Sequence, residues 1–109
     1  MLKLLFRLKS KLKSNEKRNE QINLFLLSRY VKKKSFTLLD AGCGIGSNLN
    51  SILKKYPKAK IIGIDNYQPD LDIAQKFFLN KAEFILGDCI NTKLNSNSFD
   101  VVLSNQVIE

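Results

Sequence analysis

From position 35 onward, short apolar runs alternate with helical patterns, and this alternation limits the possible fold more than any other feature. The four runs cover residues 36–39, 60–64, 83–86 and 99–103, each the length of a buried strand. The first two runs are separated by helical spacing that ends before Pro57, and the next two by a pattern that begins near Pro69 and Asp70. The buried faces predicted for these helices consist of Leu49, Ile52, Leu53 and Tyr56, and of Ala74, Phe77 and Phe78. This order predicts βαβ units in an α/β fold with a parallel, doubly covered sheet.

The chain divides into a basic arm, residues 1–34, and a domain, residues 35–109. Of the net charge of +8, the arm carries eleven Lys and Arg against two Glu, so the rest of the chain is close to neutral. Two amphipathic helices are predicted in the arm, with apolar faces formed by Leu5, Leu8 and Leu12 and by Ile22, Phe25, Leu26 and Tyr30. The basic first helix either contacts an anionic membrane or nucleic acid, or caps the domain with its charged face in solvent.

Cysteine usage and hydropathy exclude several classes of protein. Cys43 and Cys89 form no CxxC pair and the chain has no histidine, so no metal site is predicted and a reducing, cytoplasmic compartment is favoured. The N-terminal residues lack the unbroken apolar region of a signal peptide. No stretch approaches the roughly 18 apolar residues that a membrane span requires.

Polar residues follow each apolar run, at the carboxyl end of the predicted strand. They are Asp40, Asp65, Asp88 and the pair Ser104–Asn105. Ligands of open parallel sheets bind outside these strand ends, so three carboxylates are expected to converge there. Any one of them could simply be a turn residue, but their recurrence favours a binding site. The first is followed by glycines at positions 42, 44 and 46, in the strand–loop–helix context that lets a nucleotide approach the backbone.

Four segments together resemble the class I S-adenosylmethionine-dependent methyltransferases. LLDAGCGIGSNL is similar to the first motif of that family, IIGIDNYQPDL to the acidic second, and FILGDC and FDVVLSNQVIE to the third and fourth, in the same order. The resemblance covers about residues 37–109. It implies a Rossmann-like sheet truncated to about four strands in the order 3-2-1-4, with the N-terminal helices beside it.

The resemblance also implies S-adenosylmethionine as cofactor and assigns roles to residues. Asp40 and the loop would face its methionine part, Asp65 the ribose hydroxyls, Asp88 the adenine amine, the backbone of Cys89 the ring, and Asn105 the methyl-transfer position. The implied cofactor-binding set is Asp40, Ala41, Gly42, Cys43, Gly44, Asp65, Asn66, Asp88, Cys89 and Asn105. Carboxylates accept hydrogen bonds from a ribose diol and an amine, which agrees with these roles.

An NAD-like dinucleotide is the alternative cofactor, because a glycine turn followed about 20 residues later by an acid also occurs in NAD-binding domains. The pyrophosphate of NAD would be repelled by Asp40, which favours the sulfonium cofactor. The methyl acceptor is expected to be a small molecule, lipid or glycan, and no catalytic residue is assigned. Complete members of the family have seven strands, so we expect a fragment of a longer enzyme, inactive alone, whose fourth strand is an unpaired edge.

Overall fold

The computed structural model describes the backbone of residues 4–7, 16–88 and 98–104, and the side chains of residues 21–88 and 98–104. The strands are β1 (Leu4–Arg7), β2 (Thr37–Ala41), β3 (Lys60–Asp65), β4 (Glu83–Leu86) and β5 (Val101–Ser104). The helices are α1 (Glu16–Tyr30), α2 (Leu49–Lys55) and α3 (Gln68–Phe77). From the sequence, the connection between the last two apolar runs, residues 90–98, is expected to be a short loop or a one-turn helix. Apart from Ser98, it lies outside the described residues.

All five strands are parallel and form one sheet in the order β1-β5-β2-β3-β4. Strands β2 to β5 are the four runs found in the sequence, and their arrangement confirms the predicted order 3-2-1-4. The order reverses at β2, since β3 and β4 extend to one side of it and β5 to the other. In such sheets the crevice at the carboxyl ends of the strands, at this reversal, is where ligands bind.

Strand β1 corrects two predictions made from the sequence. Leu4–Arg7 is a strand, not part of an amphipathic helix, and it pairs in parallel with β5 from Leu4 opposite Val101 to Arg7 opposite Ser104. The fourth predicted strand is therefore not an unpaired edge. A short apolar run can form either structure, and here the backbone groups of β5 supply hydrogen-bond partners that a helix would not use.

The two faces of the sheet carry separate apolar clusters. Leu38 and Ile61 point to the face covered by the helices, where they join Leu27 of α1 and Ile52 of α2. The alternate positions of β2, Leu39 and Ala41, point to the other face, as the two-residue period of a strand requires. Asp40 shares the face of Leu38 by the same period, so its carboxylate lies on the helix-covered side.

The helices bury some residues that the spacing did not indicate. On α1 the buried positions are Asn23 and Leu27, whereas Phe25 and Tyr30 are 62% and 44% exposed. On α3, Ala74 is buried as predicted and so is Phe78 just beyond the helix, but Phe77 is 66% exposed. In both helices the spacing of apolar residues is compatible with more than one buried face. Packing against the sheet determines which face is buried. In the parts of the chain that the structure describes, no helix is long and apolar enough to cross a membrane.

Candidate functional site

The loop between β2 and α2 is fixed to the end of β3 by backbone hydrogen bonds. The N–H groups of Gly42 and Cys43 both donate to the carbonyl of Ile64, at 2.8 and 3.1 Å. Gly42, Gly44 and Gly46 have φ values of 77°, 55° and 86°, a region that glycine adopts readily and other residues rarely do. The backbone conformation therefore explains why glycine occupies these three positions. The sequence motif alone only indicated that a glycine loop was present.

Asp65, the last residue of β3, joins the loops that follow three strands. Its Oδ2 accepts the N–H of Gly44 at 2.8 Å and its Oδ1 accepts the N–H of Tyr67 at 3.0 Å. Its backbone carbonyl accepts the N–H of Gly87 at 2.9 Å, which holds the loop after β4. Each carboxylate oxygen has two lone pairs, so Asp65 can accept further hydrogen bonds from a ligand.

Asp40 is completely buried, and among the residues that the structure describes neither of its carboxylate oxygens has a hydrogen-bond partner. Burial and, to a smaller extent, the nearby negative charge of Asp65 together raise the pKa of Asp40 from 3.8 to about 7. Buried polar groups normally have partners, and an unpaired one costs on the order of 1–3 kcal/mol. An unpartnered carboxylate beside a glycine loop is therefore a candidate ligand group.

Cys43 has a packing role in the loop. Its Sγ would lie 2.8 Å from a Cβ added at Gly63, so the thiol occupies the space that this glycine leaves open on β3. Burial raises the pKa of Cys43 to about 12, with a further contribution from the charge of Asp40. The side chain thus remains a protonated thiol at neutral pH and is not a nucleophile.

The structure brings most of the predicted site residues together around the carboxyl ends of β2, β3 and β4. Asp40 and Ala41 end β2, Gly42 to Gly44 form the loop, and Asp65 ends β3. Asn66 and Asp88 are exposed residues that follow β3 and β4. Cys89 and Asn105 lie outside the described residues, and the roles of all these residues remain predictions.

Two polar residues were missed by reasoning from the sequence, and one of them, Asp70, lies near this site. Asp70, in the first turn of α3, has its Oδ2 3.9 Å from the position that a Cβ on Gly44 would take, so it adds a carboxylate to the loop. Its first-turn position suggested only a helix-dipole role. Asn23 on α1 is fully buried with neither amide atom bonded in the described structure. A polar residue on an otherwise apolar helix stripe was the available signal.

The arrangement suits a cation with hydroxyl and amine donors. Asp40, Asp65 and Asp70 place three carboxylates near the glycine loop, and a fourth acid, Asp88, follows β4. No Lys or Arg belongs to the described loops that follow β2, β3 and β4. A phosphate-bearing ligand would meet repulsion here, whereas an ammonium or sulfonium would be attracted.

Comparison with known proteins identifies similar proteins over most of the chain. Residues 38–109 match the family model for a methyltransferase domain. The release factor glutamine methyltransferase of Caulobacter vibrioides is 35% identical over 85 residues, which cover 73% of this chain and 29% of that protein. The malonyl-[acyl-carrier protein] O-methyltransferase of Legionella pneumophila is 33% identical over 87 residues, covering 78% and 31%. The chain thus spans about a third of the length of these curated relatives.

Solved structures show the same likeness. The plantazolicin methyltransferase BpumL, solved in complex with SAH, superposes with a TM-score of 0.67 at 33% identity, over 84% of this chain and 36% of that one. Streptomyces venezuelae DesVI superposes with a TM-score of 0.64 at 25% identity, over 84% and 37%. The matched regions contain the glycine loop and the strand ends described above.

Proposed function

This chain belongs to the methyltransferase-domain family, and on that premise we propose that it forms the S-adenosylmethionine-binding part of a methyltransferase. The observation that carries the proposal is the buried, unpartnered carboxylate of Asp40 beside the glycine loop. The methyl acceptor that we propose is a small molecule, lipid or glycan. The matched relatives, named for a release-factor glutamine, a malonyl-carrier protein and plantazolicin, differ widely in their acceptors.

The donor set fits S-adenosylmethionine better than a dinucleotide. This cofactor carries a sulfonium and an ammonium, and it has no pyrophosphate. The carboxylates of Asp40 and Asp70 favour such a cation and oppose a phosphate. When bound, the cofactor supplies a methyl group activated by the positive sulfur. These charges, together with the SAH bound to a neighbour, support the sulfonium cofactor over NAD.

The residues of this chain hold the cofactor and orient it for methyl transfer. Asp65 already fixes Gly44 and Tyr67, and its remaining lone pairs are available for ribose hydroxyls. Gly44 has no Cβ, and the loop backbone is held by its bonds to Ile64, so a ligand meets a surface that needs little rearrangement. In-line methyl transfer depends strongly on alignment, and positioning can contribute roughly 7–11 kcal/mol to such reactions. No general base is assigned to this chain.

Calorimetric titration of the chain with SAH tests the proposal. We expect Asp65→Ala to weaken binding by about 1.5–3 kcal/mol, the range for hydrogen bonds to a charged group. Asp72→Ala is the matched control, since Asp72 is an exposed acid of α3 whose carboxylate bonds only Gln68 among the described contacts. A circular dichroism spectrum establishes that each variant is folded. Equal affinities for the two variants, or tighter binding of NAD than of SAH by the original chain, would contradict the proposal.

The basic arm, residues 1–34, supports a second, weaker contact with an anionic membrane or nucleic acid. Its eleven cations against two acids are the reason for this proposal. A cytoplasmic location is likewise proposed, from the absence of a CxxC pair. Co-sedimentation with phosphatidylserine vesicles or RNA at two salt concentrations tests the arm, because electrostatic binding weakens with salt. Absence of sedimentation at low salt leaves the arm as a cap of the domain.

A further inference from the structure

A cavity lies at the end of the sheet opposite to the proposed cofactor site. It is a groove of about 900 Å³ between the last turns of α2 and α3, at the amino ends of β3 and β4. Its volume lies within the range of ligand pockets, roughly 300–1,000 Å³. Because the glycine loop and the strand-end acids are at the carboxyl ends of the strands, a ligand in this groove would not overlap the cofactor.

The rim of this groove is basic. Lys54 of α2, Lys60 at the start of β3 and Lys81 in the loop before β4 line it, and Glu83 is the single carboxylate among its lining residues. All three lysines are exposed, and none forms an ion pair with a side chain in the described residues. Three cations from three separate elements thus converge on one depression without being neutralised.

The groove also has an aromatic wall whose position is fixed. Phe77 is 66% exposed and lines the groove, so its ring is accessible to a ligand there. It is braced edge-to-face by Phe78, with ring centroids 4.8 Å apart, and Phe78 is buried against Phe84 at 5.9 Å. The exposed ring is therefore presented on the core at a defined position.

The loop that carries Lys81 is also well defined. Asn80 has a φ of 59°, in the left-handed region, and the N–H of Lys81 donates to the carbonyl of Phe78 at 2.9 Å. This tight turn fixes the backbone of Lys81, which lines the same groove as Phe77. A cation and a planar ring in one groove are the two components with which proteins hold single strands, by phosphate contact and base stacking.

We propose that this groove, hereafter the basic groove, binds single-stranded nucleic acid. The lysines contact backbone phosphates and Phe77 stacks on one base. The planar ring favours this occupant over a purely anionic one such as a membrane surface, which has no flat group to stack. The proposal does not depend on the function proposed above, because it uses no residue of the cofactor site.

Fluorescence anisotropy of a labelled eight-nucleotide oligouridylate, titrated with the full chain over a range of NaCl concentrations, tests the proposal. Neutralising Lys60 with Lys60→Gln should lower the slope of log affinity against log salt by about 0.7, the value for one phosphate of a single strand. Lys76→Gln, which removes an exposed lysine outside both the groove and the basic arm, controls for overall charge. The control should change the slope less than Lys60→Gln does.

The aromatic contact has its own pair of variants. Phe77→Ala should weaken oligouridylate binding roughly 5- to 150-fold, the effect of losing one stacked base. Phe25→Ala removes a ring of similar exposure, 62%, from α1 and should leave the affinity unchanged. Equal effects of Phe77→Ala and Phe25→Ala would overturn the proposal. So would equal salt slopes for Lys60→Gln and Lys76→Gln, which would place the binding on another surface such as the basic arm.

Discussion

The carboxylate of Asp65 accepts the backbone N–H of Gly44 at 2.8 Å, across 21 positions of the chain. This bond joins the loop after β2 to the end of β3, and it gives Asp65 two tasks. The same carboxylate that we propose for the ribose hydroxyls also sets the shape of the loop that would face the cofactor. The acid at this position therefore has a structural role in the loop in addition to the ligand-binding role that we propose.

Gly44 and Gly46 are expected to differ in how they tolerate a side chain. Both have positive φ, so alanine costs about 1–2 kcal/mol of strain at either. A Cβ at Gly44 meets only Asp70 at 3.9 Å, whereas at Gly46 it would lie 2.6 Å from the Phe78 ring. Gly46→Ala should thus lower the free energy of unfolding by roughly 1–3 kcal/mol more than Gly44→Ala.

Urea denaturation measures both changes, and a second substitution isolates the clash. Phe78→Leu in the Gly46→Ala background should recover part of the extra loss, since the aromatic ring is the obstructing group. If the double variant shows the simple sum of the two single losses, the ring does not account for the difference between the glycines.

The buried carboxyl of Asp40 should make stability fall as the pH rises. Its pKa is raised from 3.8 to about 7 by burial and by Asp65, so between these values the folded state binds more protons than the unfolded state. The stabilisation is complete below pH 4 and is lost as the pH passes 7. Asp40→Asn, which stays neutral, should exceed the original chain at pH 8 by on the order of 3–4 kcal/mol.

Thermal unfolding at pH 5 and pH 8 measures this effect. Asp100→Asn is a control of opposite sign, because the N–H of Thr37 holds the pKa of Asp100 below its usual value. Its carboxylate stabilises the fold above that pKa and the contribution is lost as the pH falls. A gain from Asp40→Asn that is the same at both pH values would show that the charge of Asp40 is not the cause.

Asn23 is expected to lower the free energy of unfolding at its buried position in α1. Its amide is fully buried without a partner in the described structure, next to apolar neighbours of α1 such as Leu27. Leucine has the same branched shape as asparagine with methyl groups in place of the amide atoms, so Asn23→Leu should raise the free energy of unfolding by about 1–3 kcal/mol. Asn66→Leu at an exposed loop position is the control and should give no such gain. A loss of stability in Asn23→Leu would mean that the amide has a partner.

The thiol of Cys43 should resist alkylation in the folded chain. With a pKa of about 12, its thiolate fraction at pH 8 is roughly a thousandth of that expected at the usual pKa of 9.0. Iodoacetamide labelling of a Cys89→Ser variant, followed by mass spectrometry, reports on Cys43 alone. Labelling should be at least about 1,000-fold faster in denaturant than in buffer, and similar rates in the two would refute the buried thiol.

Much of the fold could be predicted from local patterns. The runs that became β2 to β5 were recognised from their apolar content, and the acids Asp40 and Asp65 from their place at the ends of those runs. Once the strands are parallel, geometry alone brings their carboxyl ends to one edge. The exposure of Phe77 could not be predicted, since helical spacing permits several stripes and only packing against the sheet selects between them.

The sequence by itself determined the glycine loop and the acids around it, because these follow from short-range patterns and from the rules of parallel sheets. The order of strands β2 to β5 was expected only from the resemblance to a known family. Only the tertiary structure decided that Leu4–Arg7 is a strand, that Asp70 lies near Gly44, and that Asp40 is an unpartnered carboxyl with a pKa near 7. Each of these depends on groups far away in the chain. A strand needs the edge of β5, and a pKa depends on everything that excludes water from the carboxyl.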